Sequence, residues 1–384
     1  MNPADRVARV PPSGIRRFFE LAEEYDEIIS LGVGEPDFSA PWAAREAAID
    51  SLERGRTAYT ANRGRADLRR AIARHVRDTF GLTYDPDSEI LVTTGVSEGL
   101  DLALRGLVNP GDRVALVEPA YVSYAPGISF VDAEPIRVRT TMDEGFRLTR
   151  GKLEAAGADA ADFLLLCYPN NPTGATLPRE HLADIAAFAR EHDITVLSDE
   201  IYARLTYSGS HTSIASLPGM RERTIVLNGF SKAFAMTGLR LGYALGPAAG
   251  IDPMNRIHQY SMLSSPTTAQ FAALEALDSC EAAVDEMCRQ YNRRRRYVLS
   301  RFEEMGLPCF EAEGAFYVFP AVPTDDDEAF AERLLEEQQV AVVPGSAFGE
   351  AGAGHVRVSY ATSLSDIRTA MDRIEAFIRP KVSP

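Results

Sequence analysis

Lysine is nearly absent from this chain of 384 residues, which contains three lysines and 37 arginines. Long apolar runs are absent too: no stretch approaches the ~18 consecutive apolar residues that a membrane-spanning helix needs, so we expect no membrane partner. The first residues, MNPADRVARVPPSG, are charged and rich in proline, unlike a secretory signal. Cysteine is scarce, and Cys167, Cys280, Cys288 and Cys309 show no Cys-x-x-Cys spacing and no histidine at ligand spacing. We therefore expect buried free thiols in a reducing cytoplasm and no metal site.

Positive charge is also in short supply, because the formal net charge is −15 at pH 7. A nucleic-acid surface needs clustered lysine and arginine to neutralise phosphates, so this balance argues against a nucleic-acid partner. The one basic run, Arg293 to Arg296, falls within a long helical pattern. We interpret it as the solvated face of that helix.

Seven short apolar runs alternate with helical patterns in the middle of the chain. They are EILVTTG (89–95), DRVALVEP (112–119), EPIRVR (134–139), DFLLLCYP (162–169), DITVLSDE (193–200), RTIVLNGF (223–230) and LRLGYALG (239–246). Most are continuously apolar, as strands covered on both faces should be, and amphipathic stretches such as REHLADIAAFAREH lie between them. This alternation predicts a three-layer α/β domain with a mainly parallel, seven-stranded sheet over about residues 45–280.

The pattern changes from residue 281 onward. A long charged helix comes first, then a segment with the strand-like runs GAFYVFP, VAVVPG and GHVRVSY, and then a final helix. We predict a second, smaller α+β domain that combines residues 281–384 with residues 1–44, which contribute an N-terminal arm and a first helix.

Candidate ligand-binding residues stand at the predicted strand ends, because ligands of open α/β sheets bind beyond the carboxyl ends of the strands. In TTGVSEGL, Gly95 separates a strand from a helix whose first turn contains Ser97 and Glu98. Free backbone N–H groups and the helix dipole suit a phosphate there, although an ordinary strand-to-helix turn has the same pattern. In EPAYVSYA, Tyr121 either covers a planar ligand or packs in the core.

Two further strands end in polar residues. YPNNPTG (168–174) forms a turn on any interpretation, and an asparagine there is able to hydrogen-bond a ligand oxygen. Asp199 and Glu200 end an apolar strand, where a carboxylate is costly unless it has a cation or a donor as partner. They are either ligand-binding groups or the N-cap of a following helix.

Lys232 stands just past the end of another apolar strand. Its amine is able to form a Schiff base with a carbonyl, whereas arginine does not lose its proton and cannot replace it. A chain that otherwise uses arginine therefore keeps a lysine where its chemistry is irreplaceable. Lys152 and Lys381 lie in polar stretches that we interpret as solvated surface. Arg240 offers a bidentate fork for a phosphate.

These features match the needs of one cofactor in combination. A Schiff-base lysine, a carboxylate for a pyridine nitrogen and a phosphate site are what pyridoxal 5'-phosphate requires. The sequence also resembles the class I and II aminotransferases, the fold type I pyridoxal-phosphate enzymes. The motifs LGVGEPDF, YTANRG, NNPTG, SDEIY, SKAFAMTGLRLGY, GAFYVFP, VVPGSAFG and VRVSYA occur in the family's order. Within the family the chain is most similar to archaeal aminotransferases of aromatic or broad specificity, which use 2-oxoglutarate as amino acceptor.

The resemblance implies a role for each residue that matches a family motif. Lys232 would form the Schiff base with the cofactor and move the proton at the substrate Cα, while Asp199 pairs with the pyridine nitrogen. The other implied cofactor ligands are Asn171 and Tyr202 at the ring's 3-oxygen, Tyr121 on its face, and the amides of Val96 and Ser97 with Arg240 at the phosphate.

The resemblance also implies the substrate contacts and the assembly. Arg357 would grip the substrate α-carboxylate, with Gly34 and Asn171 beside it. Tyr59 would reach the phosphate of the neighbouring subunit, which implies a homodimer with shared active sites. One position departs from part of the family: Gly229 replaces a serine three residues before the lysine, so Ser231 remains as a candidate phosphate ligand.

Several functions compete with an aromatic or broad-range aminotransferase. A nicotinamide dehydrogenase is disfavoured because GVG (32–34) lacks the third glycine of G-x-G-x-x-G. An aspartate or alanine aminotransferase is the first alternative, and a dicarboxylate substrate would require a further cation. A carbon–sulfur β-lyase on the same fold would share every cofactor residue. Loops such as HQYSMLSS (258–265) shape the pocket, and no residue in them identifies the amino donor.

Overall fold

The structure is a computed structural model that describes residues 2–12 and 28–379. Lys381 and most of the predicted first helix lie outside these residues. No helix within the described ranges is both long and apolar enough to cross a membrane. None of the four cysteines forms a disulfide; Cys167 and Cys280 are buried, and the other two are partly exposed.

The described residues form short strands and longer helices in alternation. The strands are β1 (Ile29–Ser30), β2 (Ile90–Thr93), β3 (Arg113–Glu118), β4 (Glu134–Arg139), β5 (Phe163–Cys167), β6 (Thr195–Asp199), β7 (Thr224–Gly229), β8 (Gly242–Leu245), β9 (Tyr317–Val318), β10 (Val340–Ala341), β11 (Val343–Pro344) and β12 (Val356–Ser359). The α-helices are α1 (Asp5–Ala8), α2 (Trp42–Glu53), α3 (Ala66–Phe80), α4 (Gly95–Leu107), α5 (Tyr124–Phe130), α6 (Arg150–Ala155), α7 (Arg179–Glu191), α8 (Ala248–Ser261), α9 (Thr267–Ser279), α10 (Glu281–Glu304), α11 (Asp327–Gln338) and α12 (Leu364–Ile378).

The central element is a seven-stranded sheet in the order β2-β8-β7-β6-β5-β3-β4. All neighbouring strands are parallel except at β8, which runs antiparallel to both β2 and β7. Each of the seven apolar runs became one of these strands, which confirms the predicted mainly parallel sheet. Strand β4 is the partly exposed edge, and this position accommodates Pro135, which has no N–H to donate to a neighbour.

Helices cover both faces of this sheet. Successive strand residues point to opposite faces, so Leu164 and Leu166 pack on the side of α6 and α7, whereas Leu165 packs on the side of α4, α5 and α8. These continuous apolar strands are buried on both sides, and the result is the three-layer α/β arrangement that the sequence predicts.

Two smaller sheets are formed largely by the C-terminal part of the chain. Strand β1 pairs in parallel with β10, and β12 pairs antiparallel with both β11 and β9. The long helix α10 connects the large sheet's last helices to this region. The domain boundaries at residues 44/45 and 280/281 stay a prediction.

The basic run Arg293 to Arg296 corrects one expectation. Its first and last arginines are exposed, but Arg294 and Arg295 are buried. Arg294 makes a bidentate ion pair with Asp37 at 2.7 and 2.9 Å, and Arg295 donates to the carbonyl oxygen of Ala312 at 2.7 Å. The interpretation of the whole run as a solvated face was wrong, because Arg294 and Arg295 connect α10 to other segments of the chain.

We expect Arg294→Gln to lower the free energy of unfolding by about 2–3 kcal/mol, because it leaves the carboxylate of Asp37 without its cation. Arg293→Gln is the matched control on the exposed face and should stay within about 0.5 kcal/mol of the parent. Urea unfolding of both variants measures the difference. Equal stability of the two variants would show that the Arg294–Asp37 pair contributes nothing.

Candidate active site

The register of the large sheet brings three chain segments to one place. Gly242, the first residue of β8, pairs with Thr93 at the end of β2 and with Gly229 at the end of β7. Because β8 runs antiparallel, its beginning lies at the edge where the other strands end. The turn into α4, the segment after β7 and the segment before β8 therefore meet at the carboxyl edge of the sheet.

Lys232 lies in this place with its amine largely enclosed. Its Nζ donates to the carbonyl oxygen of Gly34 at 2.6 Å and stands 5.9 Å from the ring centre of Tyr202. Burial lowers the pKa of Lys232 to about 8, and the positive charge of Arg357 acts in the same direction, while Glu35 opposes it. A substantial fraction of the amine is therefore neutral and nucleophilic near pH 8.

Asp199 ends β6 and is buried, with a neutral hydrogen-bond donor at each carboxylate oxygen. Its Oδ2 accepts from the hydroxyl of Tyr124 at 2.8 Å, and its Oδ1 accepts from the N–H of Ile201 at 3.1 Å. Burial raises the pKa of Asp199 to about 6, against the two hydrogen bonds, which lower it. A carboxylate in this state gains from a cationic N–H partner that replaces the lost solvation.

Glu200 has different surroundings from its neighbour. Its Oε1 accepts from the hydroxyls of Ser198 and Ser213, both at 2.8 Å, and its Oε2 is 2.9 Å from Nε2 of His211. No α-helix begins between β6 and β7, so the helix N-cap interpretation of these two carboxylates was wrong.

Arg357 and Asn171 form a second pair of polar groups at the site. The Nη1 of Arg357 donates to Oδ1 of Asn171 at 2.9 Å, and its Nη2 donates to the carbonyl oxygen of Gly32 at 2.6 Å. Its Nε is buried without a hydrogen-bond partner, and its guanidinium lies 4.6 Å from the ring centre of Tyr317. An orphaned donor on a buried cation suits an anionic ligand.

Gly34 and Tyr202 meet at the hydroxyl of Tyr317. A Cβ at Gly34 would lie 2.6 Å from that hydroxyl, so a side chain there would displace the Tyr317 hydroxyl. The hydroxyls of Tyr202 and Tyr317 are hydrogen-bonded at 2.8 Å. Tyr202, Gly34 and Lys232 are thereby brought together.

The turn between β2 and α4 has the features of an anion site. Gly95 has φ +76°, and a Cβ there would lie 3.0 Å from Nη2 of Arg240. Val96 and Ser97 follow in the first turn of α4, where backbone N–H groups have no partner within the helix. The Oγ1 of Thr94 is buried without a hydrogen-bond partner beside this turn. These donors surround a position that suits a phosphate.

The remaining predicted residues fall into three environments. Tyr121 is half-buried and packs edge-to-face on Tyr124, with ring centres 5.6 Å apart. Ser231 is buried directly before Lys232. Tyr59 is 80% exposed and does not pack beneath its own loop.

These side chains fit pyridoxal phosphate: an enclosed amine, a buried carboxylate and a cradle of unpaired donors lie at one edge of the sheet. Among residues 2–12 and 28–379, no group of three or more histidine, cysteine or acidic side chains is placed to hold a metal ion.

Two residues of the site were not singled out from the sequence. Tyr124 and Tyr317 lie in the segments EPAYVSYA and GAFYVFP, and the sequence pattern does not distinguish them from aromatic residues of the core. Their hydroxyls contact Asp199 and Tyr202, respectively. A buried tyrosine generally pairs its hydroxyl, which was the available signal, but the sequence does not identify the acceptor.

Comparison with known proteins identifies relatives that match nearly the whole length of the chain. The family model for aminotransferase class I and II matches residues 26–374. The chain is 49% identical to the putative aminotransferase YugH of Bacillus subtilis, covering 98% of both chains, and 42% identical to an aspartate aminotransferase of Pyrococcus abyssi, covering 99% of both. The crystal structure of an aromatic aminotransferase from Pyrococcus horikoshii superposes with a TM-score of 0.89 at 42% identity, over 94% of this chain and 98% of that one.

Proposed function

This chain belongs to the class I and II aminotransferases and is a pyridoxal-phosphate-dependent transaminase, and we propose a reaction for it. It transfers amino groups to 2-oxoglutarate, either from aromatic amino acids or from a broad range of amino acids. The observation that carries the residue assignments is the enclosed amine of Lys232, whose pKa is lowered to about 8 near a buried carboxylate and a buried guanidinium. Lys152, by contrast, forms an ion pair with Glu144.

Each cofactor contact is proposed from the family resemblance, and the positions of this chain's own groups are compatible with it. Asp199 holds the pyridine nitrogen, Asn171 and Tyr202 hold the ring's 3-oxygen, and Tyr121 lies on the ring's face. The amides of Val96 and Ser97, with Arg240 and Ser231, hold the phosphate. When bound, pyridoxal phosphate supplies an aldehyde for covalent attachment and a ring that accepts electrons from the substrate.

The protein's part in the reaction is to bind, orient and move one proton. Arg357 binds the substrate α-carboxylate, and its hydrogen bonds to Asn171 and Gly32 fix the guanidinium plane. Gly34 leaves room beside it. The neutral amine of Lys232 takes the proton from the substrate Cα and would pass it to the cofactor and not back to the same carbon, for which a pKa near the working pH is favourable.

The proposed donor range rests on the similarity to a relative named for aromatic substrates. Arg357 and Arg240 are assigned to the α-carboxylate and the phosphate, and both lower the pKa of Lys232 through their charge. The second carboxylate of 2-oxoglutarate needs a further cation in the same pocket, so the requirement for a cation does not by itself select between aromatic and dicarboxylate donors. The identity to an aspartate aminotransferase keeps aspartate as the first alternative, with alanine and a carbon–sulfur β-lyase after it.

We also propose a cytoplasmic homodimer whose active sites are shared between subunits. Tyr59 and Tyr260 are 80% and 86% exposed, which is unusual for large aromatic side chains. The loop that contains Tyr59 is joined to the segment that follows α8, the helix of Tyr260, since Nδ2 of Asn62 donates to the carbonyl oxygen of Leu263 at 2.7 Å. Leu263 is itself substantially exposed, so the joined segments present an apolar surface for a two-fold contact.

Lys232 should carry the cofactor. Borohydride reduces the Schiff base to a stable amine, so pyridoxal phosphate should remain as a label on the peptide that contains Lys232. Lys152→Ala is the matched control and should leave this labelling unchanged. In cofactor-free protein, the rate of covalent reloading should rise with pH and level off above about pH 8, because only the neutral amine attacks an aldehyde. A label on Lys152 or Lys381 would refute the assignment.

Aromatic amino acids should be the best donors with 2-oxoglutarate as acceptor. A screen of phenylalanine, tyrosine, aspartate and alanine at equal concentration, read as kcat/KM, measures the preference. An aspartate value far above those of phenylalanine and tyrosine would overturn the proposed range. Pyruvate and ammonia formed without any 2-oxo acid would instead indicate the β-lyase.

Mixed dimers should restore activity if Tyr59 serves the partner's site. A heterodimer of Lys232→Ala and Tyr59→Ala subunits has one site with both lesions and one intact site. Its activity should approach that of one good site, after the residual activity of each parent is subtracted. The test uses a Tyr59 lesion that is strongly impairing alone.

Isolated heterodimers that recover no activity would contradict the shared site. Full activity in a monomeric preparation would contradict it as well. Sedimentation of each mixture, measured beside the activity, establishes which species is present.

A further inference from the structure

We propose that Tyr124 is a positioning residue that holds the carboxylate of Asp199 ready for the cofactor's pyridine nitrogen. This inference rests on the proposed role of Asp199. The hydroxyl of Tyr124 donates to Oδ2 of Asp199 at 2.8 Å, and both side chains are buried.

The carboxylate of Asp199 is fixed through both of its oxygens. Oδ1 accepts from the backbone N–H of Ile201 at 3.1 Å, while Oδ2 accepts from Tyr124. The first bond comes from the turn after β6, and the second comes from α5 in the helical layer above. Two donors from different elements set the plane of the carboxylate, and each oxygen keeps a lone pair for a further donor.

Tyr124 is itself held firmly in place. It is the first residue of α5, its ring is buried in the core between the sheet and this helical layer, and its backbone N–H donates to the carbonyl oxygen of Tyr121 at 3.0 Å. The rings of Tyr121 and Tyr124 also pack edge-to-face. One turn of chain therefore positions the aromatic group proposed for the cofactor's face and the hydroxyl that reaches Asp199.

The neighbouring strand provides no stronger partner for Asp199. Cys167 on β5 is paired with Asp199 in the sheet register and is buried beside it. A thiol is a weak donor and does not replace a hydroxyl. Tyr124 is thus the one side chain, within the described residues, that donates a hydrogen bond to Asp199.

Removal of the hydroxyl should change the ionisation of Asp199 in a defined direction. Burial raises its pKa, and the hydrogen bonds from Tyr124 and Ile201 oppose that rise. Tyr124→Phe keeps the ring but removes one stabilising donor, so more of the carboxyl should be protonated at neutral pH. A protonated carboxyl does not offer a negative charge to the pyridine nitrogen, and cofactor binding should weaken.

The experiment compares Tyr124→Phe with Tyr168→Phe. Tyr168 is also buried, and its hydroxyl donates to the carbonyl oxygen of Phe146 at 3.0 Å, so both variants lose one buried hydrogen bond. In cofactor-free protein with ¹³C-labelled aspartate, the Asp199 carboxyl resonance is identified by its absence in Asp199→Asn. Its titration midpoint should rise above about 6 in Tyr124→Phe and stay at the parent value in Tyr168→Phe.

Equilibrium binding of pyridoxal phosphate is the second measurement. Tyr124→Phe should weaken it at least about tenfold at pH 7, because a hydrogen bond to a charged group is lost. Tyr168→Phe should bind within about twofold of the parent. Loaded Tyr124→Phe enzyme should lose kcat with little change in KM.

The outcomes separate this inference from the role proposed for Asp199. If Asp199→Asn binds the cofactor and turns over normally, the role of Asp199 itself is wrong. If Asp199→Asn is impaired while Tyr124→Phe titrates, binds and turns over like the parent, the positioning inference alone is wrong. Equal losses in Tyr124→Phe and Tyr168→Phe would also overturn it, since general destabilisation would then explain both.

Discussion

The burial of ionisable groups at one edge of the large sheet is the constraint on which the site depends. Asp199, Lys232 and Arg357 are all shielded from water there, and the charged form of each side chain would be strongly disfavoured without a partner. The pKa values of Asp199 and Lys232 shift in opposite directions: burial makes the carboxyl harder to deprotonate and the amine easier to deprotonate. The same desolvation that costs folding free energy therefore gives a reactive amine and a carboxylate that favours a cationic ligand.

The topology of the sheet solves the problem of bringing these groups together. A wholly parallel sheet would place the start of β8 at the opposite edge, far from the ends of β2 and β7. Reversal of β8 places Gly242 against Thr93 and Gly229, and the segments with Arg240, Gly95 and Lys232 converge. Close backbone approach at this point requires glycine, since a Cβ on Gly242 would lie 2.8 Å from the backbone nitrogen of Val96.

Much of this arrangement was predictable from sequence, because its signals are local. Continuous apolar runs predicted the seven strands, and polar residues at their ends predicted the edge where Lys232 and Asp199 lie. Partnerships between distant segments were not predictable. Arg294 has the same charge as its exposed neighbour Arg293, and only the position of Asp37, which is remote in sequence, explains its burial. Tyr124 likewise looked like an ordinary core aromatic until its hydroxyl was seen to face Asp199.

The groups that hold the cofactor and those that select the donor have different physical settings. Asp199, Asn171 and Arg357 are buried and hydrogen-bonded, so a substitution there disturbs packing, charge and cofactor binding together. Met262 and Leu263, which follow α8 in the segment 258–265 that we expect to shape the pocket, are exposed and contribute little to this chain's own core. Substitutions in such loops leave the buried groups intact, so donor range can change without loss of the shared chemistry. This separation accounts for the equal sequence identity, 42%, that the chain has to an aromatic aminotransferase and to an aspartate aminotransferase.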